Sequence, residues 1–321
     1  MILSKAKKIL HELDECSTRV ANSLRGGKLR ISGSMLYCIL RYGARPIDYE
    51  RFEFHRKSHR ERNRYMTIMR YFKIAKRIDH KVFKEISGKK KRELELFKDF
   101  VNRDWMSVDA KTSDKDIKAF IRNHGELIAK PSHGEQGHGV FKIKSSTDIE
   151  TILQEKDKEE FILEEVLENA DYIKEINPSS LNTLRVYTFI DKNEQLHILN
   201  IMLRVGAPGS HVDNWGSGGV GYHFDLETGV CDMPGKDKLN KEYIYHPGSN
   251  VKMLGFQLKD FDKLKQYVAD LNKVVPKARY TGWDIAVTPK GFELVEMNCP
   301  GGHDFLQTFG HPWYDFIKKN W

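Results

Sequence analysis

Four segments of this 321-residue sequence hold side chains whose types and spacing suit phosphate and metal chemistry. The first is Leu127-Ile128-Ala129-Lys130-Pro131-Ser132-His133, followed by Gly134, Gly137 and Gly139 and then Val140. It reads as a strand ending in a lysine, a glycine loop and a second strand. Glycines let backbone N–H groups approach an anion, and the lysine supplies a point charge. Because the lysine precedes the glycines and no helix follows, this is not a P-loop. Taken alone, the segment reads either as a phosphate-binding flap or as a glycine-rich hairpin.

The second segment, Phe161-Ile162-Leu163-Glu164-Glu165-Val166-Leu167-Glu168-Asn169-Ala170-Asp171, turns abruptly from apolar to acidic. It can offer backbone groups to a flat base and a carboxylate to a hydroxyl, or simply be an amphipathic strand with a solvated end. The third pairs Gly282–Val287 with Phe292–Gly302. Strand alternation groups Asp284, Ala286 and Thr288 on one face, and Phe292, Leu294, Glu296 and Asn298 on the other strand's face. If those faces look the same way, Asp284, Glu296 and Asn298 form an all-oxygen set suited to Mg²⁺ shared with phosphate. Glu296 interrupts an otherwise apolar strand, where a carboxylate without a partner is costly. The fourth is Asn182-Thr183-Leu184-Arg185, with Arg204 ending the neighbouring strand. An arginine within an apolar strand calls for an anion, supplied either by a ligand phosphate or by a structural ion pair.

The elements that must position these groups are legible from periodicity. Strands are expected at Leu127–Lys130, Val140–Lys144, Phe161–Leu167, Leu184–Ile190, Leu196–Val205, Gly282–Val287 and Phe292–Met297. Ser113 with Asp116, and Thr147 with Glu150, mark helix starts, and Lys259 to Val275 reads as a long amphipathic helix. Asn214-Trp215-Gly216-Ser217-Gly218-Gly219-Val220-Gly221 reads as a glycine loop bordering a substrate. The front is helical, interrupted at Gly26-Gly27 and at Ser32-Gly33-Ser34, with a further helix over Asn63 to Lys76. The expected fold class is α+β, with a basic helical region at 1–104 and a larger domain at 105–321.

Composition bounds the partners. Residues 1–120 hold 30 Lys and Arg against 16 Asp and Glu, whereas the remainder holds 23 against 29. A basic front on an acidic body implies two parts with different partners. Cys16, Cys38, Cys231 and Cys299 show no zinc spacing and are too few for a disulfide scaffold. No apolar run is long enough to cross a bilayer, and the first residues are in the wrong order for a secretory signal, so the expected location is cytoplasmic.

Taken in this order, the four segments resemble the ATP-grasp superfamily, and within it the sugar-transfer-associated proteins found with bacterial polysaccharide genes. The resemblance spans roughly residues 105–315. It implies a nucleotide clasped between two α+β subdomains, 105–171 and 172–321. Lys130 would meet the α- and β-phosphates of ATP, with the Gly134, Gly137 and Gly139 flap above them. Glu165 and Leu167 would bind adenine through their backbone with Glu164 close by, and Asp171 would meet the ribose. Asp284, Glu296 and Asn298 would hold Mg²⁺, and Arg185 and Arg204 would face the transferred phosphate. The family also places a further lysine ahead of the flap, for which Lys111 is a candidate.

The resemblance implies a carboxylate–amine ligase that forms an amide through an acyl-phosphate, on an acidic sugar or amino acid of a surface polysaccharide. A second enzyme reading is a kinase or peptide-forming ligase acting on a small metabolite. A reading from another class makes the basic front a nucleic-acid binder, although no recognised nucleic-acid module occurs. The front is otherwise expected to dock an anionic polysaccharide or its membrane-linked precursor, with Lys89-Lys90-Lys91-Arg92 at its centre.

Overall fold

The computed structural model describes residues 2–78, 80–86, 88–133, 139–143, 146–210, 213 and 215–321. Two antiparallel sheets dominate the body. The smaller is built from β1 (Trp105–Val108), β2 (Leu127–Pro131), β3 (Phe141–Ile143) and β4 (Phe161–Glu165), in the order β1-β4-β2-β3. Two-residue alternation divides its side chains between faces. Leu127, Ala129, Phe161 and Leu163 pack under the helices Asp114–His124 and Ser146–Glu155, together with Ile117, Ile121 and Ile152. Lys130 and Glu164 therefore point from the other face, in adjoining strands with Ile128 opposite Glu164.

The larger sheet holds β5 (Thr183–Ile190), β6 (Leu196–Val205), β7 (Val220–Phe224), β8 (Gly235–Lys236), β9 (Glu242–Tyr243), β10 (Tyr280–Thr288) and β11 (Gly291–Asn298). Its order is β11-β10-β5-β6-β7-β8-β9. The helix Phe261–Val274 covers one face, burying Leu264, Val268 and Leu271 against Leu184, Val186, Leu203, Trp283 and Ile285. Across the opposite face, register aligns Glu296, Asp284, Arg185, Met202 and His223 in one lateral row.

The expected strands and the amphipathic helix are present, with small shifts of their ends. Four strands were not expected. β1 is only four residues long, β8 and β9 have two residues each, and β7 begins at Val220, inside the glycine-rich run, which does not stay a loop throughout. The break expected at Ser32-Gly33-Ser34 is absent, since one helix runs Lys28–Tyr42. Gly33 costs about 1 kcal/mol there relative to alanine. Burial of Ile31, Met35, Cys38 and Tyr42 on the helix's inner side outweighs it. The helix expected from Asn63 starts at Ile68 instead, because Tyr65 and Met66 are buried and the Met66 N–H donates to Gln307 Oε1 at 2.7 Å.

The basic front has its own core around Met35, Cys38, Tyr49, Phe52 and Phe54. It is also bound to the body. Asp48 pairs with His303 at 3.1 Å, Arg51 pairs with Asp304, and Gln307 bonds both N–H and C=O of Met66. The run Lys89-Lys90-Lys91-Arg92 lies beside the small sheet. The Lys90 N–H donates to the Ser132 carbonyl at 3.3 Å, Lys91 lies 3.5 Å from Glu160, and Arg92 lies 3.7 Å from Glu95. Among the described residues, no helix is long and apolar enough to cross a membrane.

Candidate functional site

The β10–β11 hairpin carries one irregularity that decides which side chains share the site. Asp284 lies opposite Glu296 and Gly282 opposite Asn298, so Asp284, Glu296 and Asn298 do face the same way. The register then shifts, with Ile285 opposite Leu294 and Ala286 opposite Glu293. Val295 is the extra residue of a β-bulge, and it reverses the alternation beyond it. Leu294 and Phe292, expected beside Glu296, join the apolar side. Glu293 takes the site face in their place.

Asp284 is buried and held by two arginines. Arg185 donates Nε to Oδ1 at 2.5 Å and Nη2 to Oδ2 at 2.8 Å, and Arg204 Nη2 lies 3.2 Å from Oδ2. Asn298 Nδ2 donates to Oδ2 at 3.3 Å. Burial works to raise the Asp284 carboxyl, but Arg185 and Arg204 outweigh it and hold the group below its ordinary value. Arg204 also reaches Asp213 at 3.3 Å and Thr183 Oγ1 at 2.6 Å. Asp213 is raised despite Arg204, because burial prevails.

Glu296 differs from both. It makes no hydrogen bond or ion pair among the described residues, and burial followed by the Asp284 charge pushes its carboxyl up. Lys130, Arg185 and Lys90 act in the opposite direction. A hard-cation fit can be judged from this donor set. Asn298 donates through its nitrogen, which leaves its oxygen on the acceptor side, and Asp284 already has its cations. The unmet negative charge rests on Glu296, among oxygen donors suited to Mg²⁺. The residues present fit such an ion.

Lys130 leads to the second cluster. Its Nζ lies 2.9 Å from Glu164 Oε2, and the same oxygen accepts from Arg103 Nε at 2.7 Å. Arg103 Nη1 donates to Glu293 Oε1 at 3.0 Å and to the Leu294 carbonyl at 2.7 Å. Burial opposes the charge on Glu164, yet Lys130 and Arg103 hold its carboxyl down to about 2. Arg103 thus joins Glu164 of the small sheet to Glu293 of the large one. Below them, Glu93 is wholly buried and accepts from the Met297 N–H; burial, then Glu296, push its carboxyl well up.

The remaining expected residues fall in different places. Glu165 gives its N–H to the Asp104 carbonyl at 3.0 Å, so any contact with a base there falls to its other groups. Leu167 is half-buried in the segment between the sheets, and Asp171 is exposed at the start of a one-turn helix. That segment is pinned by Asn169, whose side chain bonds the Asn182 N–H at 2.7 Å and the Asn182 carbonyl at 2.9 Å. Gly139 has φ +74, and a Cβ there would lie 2.8 Å from Pro131 Cγ. Gly134 and Gly137 lie outside the described residues. Lys111 sits exposed in the turn after Asp109, its N–H donating to Asp109 Oδ1 at 2.9 Å. Arg103, Glu293, Glu93 and Asn169 were missed. Arg103, between Asn102 and Asp104, carried no signal in the sequence.

The model of a family described as sugar-transfer associated ATP-grasp matches residues 62–308. The match starts earlier than the expected 105 and includes Met66, which meets Gln307. No curated protein sequence matches the chain. Among solved structures, the ATP-grasp ligase PsnB with minimal precursor, Mg and ADP is 15% identical, with 72% of this chain and 58% of that chain covered and a TM-score of 0.43. D-alanyl-alanine synthetase A from Vibrio cholerae is 15% identical, covering 72% of this chain and 62% of that chain at a TM-score of 0.46. N5-carboxyaminoimidazole synthetase from Staphylococcus aureus with ADP is 10% identical, covering 68% and 45% at 0.42. The chain therefore spans less than two thirds of each of these three proteins.

Proposed function

Because the chain belongs to the sugar-transfer-associated ATP-grasp family, we propose that it is an ATP- and Mg²⁺-dependent, ADP-forming carboxylate–amine ligase. The observation that carries this reading is Glu296, a carboxylate without a partner among the described residues, flanked by Asp284, Asn298 and the cations Arg185, Arg204 and Lys130. Such a site suits phosphoryl transfer, which depends on positioning and charge neutralisation more than on a protein nucleophile.

In this reading Lys130 holds the α- and β-phosphates of ATP, and exchanges Glu164 for them in part. Gly134, Gly137 and Gly139 form the flap. Glu165 and Leu167 present backbone groups to adenine, and Asp171 meets the ribose. Asp284, Glu296 and Asn298 hold Mg²⁺, which when bound neutralises the charge of the phosphates. Residues 105–171 and 172–321 act as the two clasping subdomains. A substrate carboxylate oxygen attacks the γ-phosphorus and ADP leaves. An amine then attacks the acyl carbon, loses a proton, and orthophosphate departs. Arg185 and Arg204 stabilise the transferred phosphate as its charge develops.

The substrate reading is an acidic sugar or amino acid of a surface polysaccharide, at a cytoplasmic site of synthesis; the family's association with sugar transfer supports it. The test is a screen for ADP release across uronic acids paired with amino acids, with hydroxylamine as a trap. ADP that depends on the acid, together with a hydroxamate, is expected. AMP and pyrophosphate would refute the mechanism. ADP release with a stable phosphate ester would favour a kinase.

A further inference from the structure

The helix Lys28–Tyr42 has two apolar sides, only one of which meets the protein. Ile31, Met35, Cys38 and Tyr42 are buried in the core of the front. Leu29, Leu36 and Leu40 are 90%, 47% and 88% exposed. At about 100° per residue these three leucines fall within about 40° of one another, on the side opposite the buried set. Arg30, Tyr37 and Arg41 lie about 80–120° round the helix from Leu29, and Lys28 lies about 100° the other way. All four are exposed, and the helix contains no acidic residue. An exposed leucine row of this kind marks an interaction surface.

We infer that this helix docks the protein on an anionic bilayer surface. The leucines would enter the acyl boundary, Tyr37 would sit at headgroup level, and Arg30 and Arg41 would reach lipid phosphates, while Lys28 pairs with Asp14 at 2.5 Å. This is the arrangement of an interfacial helix, with a basic rim around an apolar strip. The helix lies on the membrane rather than crossing it, in keeping with its 15 residues. Charge selects this occupant over a second copy of the chain, since a two-fold pairing through the same face would set Arg30 and Arg41 of each copy against their equivalents. The surface goes beyond the ligase reading, because residues 28–42 lie ahead of the family match and contribute nothing to the proposed site.

The test is co-sedimentation of the whole chain with vesicles of phosphatidylcholine alone and of phosphatidylcholine mixed with phosphatidylglycerol. Binding is expected for the mixed vesicles and not for the neutral ones, and it should weaken with salt. Leu36→Gln/Leu40→Gln should reduce the mixed-vesicle partition roughly tenfold or more while keeping the wild-type melting temperature, since both side chains are exposed. Arg30→Gln/Arg41→Gln should reduce it by roughly tenfold and remove much of the salt dependence. No binding to either vesicle, or equal binding by the leucine variant, would overturn the inference. So would a wild-type dimer in light scattering that the leucine variant converts to a monomer. None of these outcomes bears on ADP release, so failure here is separable from failure of the ligase reading.

Discussion

Replacing Arg103 with methionine keeps most of the side chain's length and removes the charge that joins the two sheets. The wild-type guanidinium is 1% exposed and serves Glu164, Glu293 and the Leu294 carbonyl. In the variant Glu164 keeps Lys130, and Glu293 keeps the backbone N–H of residue 103 at 3.0 Å. Loss of one partner of a buried ionic set costs about 3–5 kcal/mol. A carboxyl held near 2 instead of 4.5 corresponds to about 3 kcal/mol net of the opposing burial, so Lys130 and Arg103 together supply more than that. The methionine also relieves Arg103 Nη2, a buried donor without a partner. The expected loss is therefore about 3 kcal/mol at neutral pH, at the low end of the range.

Urea denaturation of wild type, Arg103→Met and Arg103→Lys would measure it. Lysine keeps the charge without the fork, so its loss should be smaller. The pH dependence has a definite sign. Glu164 is depressed in the folded state, so its contribution is present above 4.5 and disappears as pH falls through about 2. The gap between wild type and Arg103→Met should be widest above pH 4.5 and narrow toward 2. A loss below about 1 kcal/mol at neutral pH, or a gap constant with pH, would refute the argument.

Substitutions at three further residues separate the roles of the buried acids. Glu296→Gln should lower ADP release by on the order of 10²–10³. It should also leave the protein as stable as wild type or more so in alkali, because the charge it removes is disfavoured by burial and then by Asp284; a loss of stability there would count against that placement. Glu93→Gln keeps an acceptor for the Met297 N–H and removes a carboxyl whose charge burial disfavours. Its unfolding free energy should stay within about 1 kcal/mol of wild type, whereas Glu93→Leu should lose about 1–3 kcal/mol; equal effects would contradict the bond. Asp48 accepts from the Arg45 and Ile68 N–H groups at 3.0 Å and pairs with His303. Burial opposes the His303 charge and Asp48 outweighs it, so Asp48→Asn should lower the His303 pKa in an NMR titration. An unchanged value would dissociate the pair.

Much of the site's scaffold was readable in the chain because its strands follow a period of two. The alternation of Leu127, Ala129 and Lys130, and the pairing of Asp284 with Glu296, depend on local order alone. The bulge at Val295 was not readable. One extra residue leaves composition and spacing unchanged while it moves Glu293 onto the site face and Leu294 off it. Arg103 and Glu93 were hidden for another reason. Each is an ordinary charged residue in a polar stretch, buried only because a strand distant in sequence closes over it. Gly33 misled in the opposite direction, since its propensity yields to the packing of its neighbours. The run Lys89–Arg92 carried no mark of the neighbours it has in the fold, which include Ser132 and Glu160.

The grip of the front on the segment after Asn298 bears on the order in which the protein can be completed as it is made. Asp48 meets His303 across 255 residues, Arg51 meets Asp304 across 253, and Met66 meets Gln307 across 241. The helical front leaves the ribosome first, and at about 5–20 residues per second its partners follow roughly 10–50 seconds later. During that interval Asp48 and Arg51 stand without His303 and Asp304, and Met66 lacks its cover. The segment from Asp48 to Met66 therefore cannot complete its contacts until residues 303–307, 241–255 positions further along, have been made.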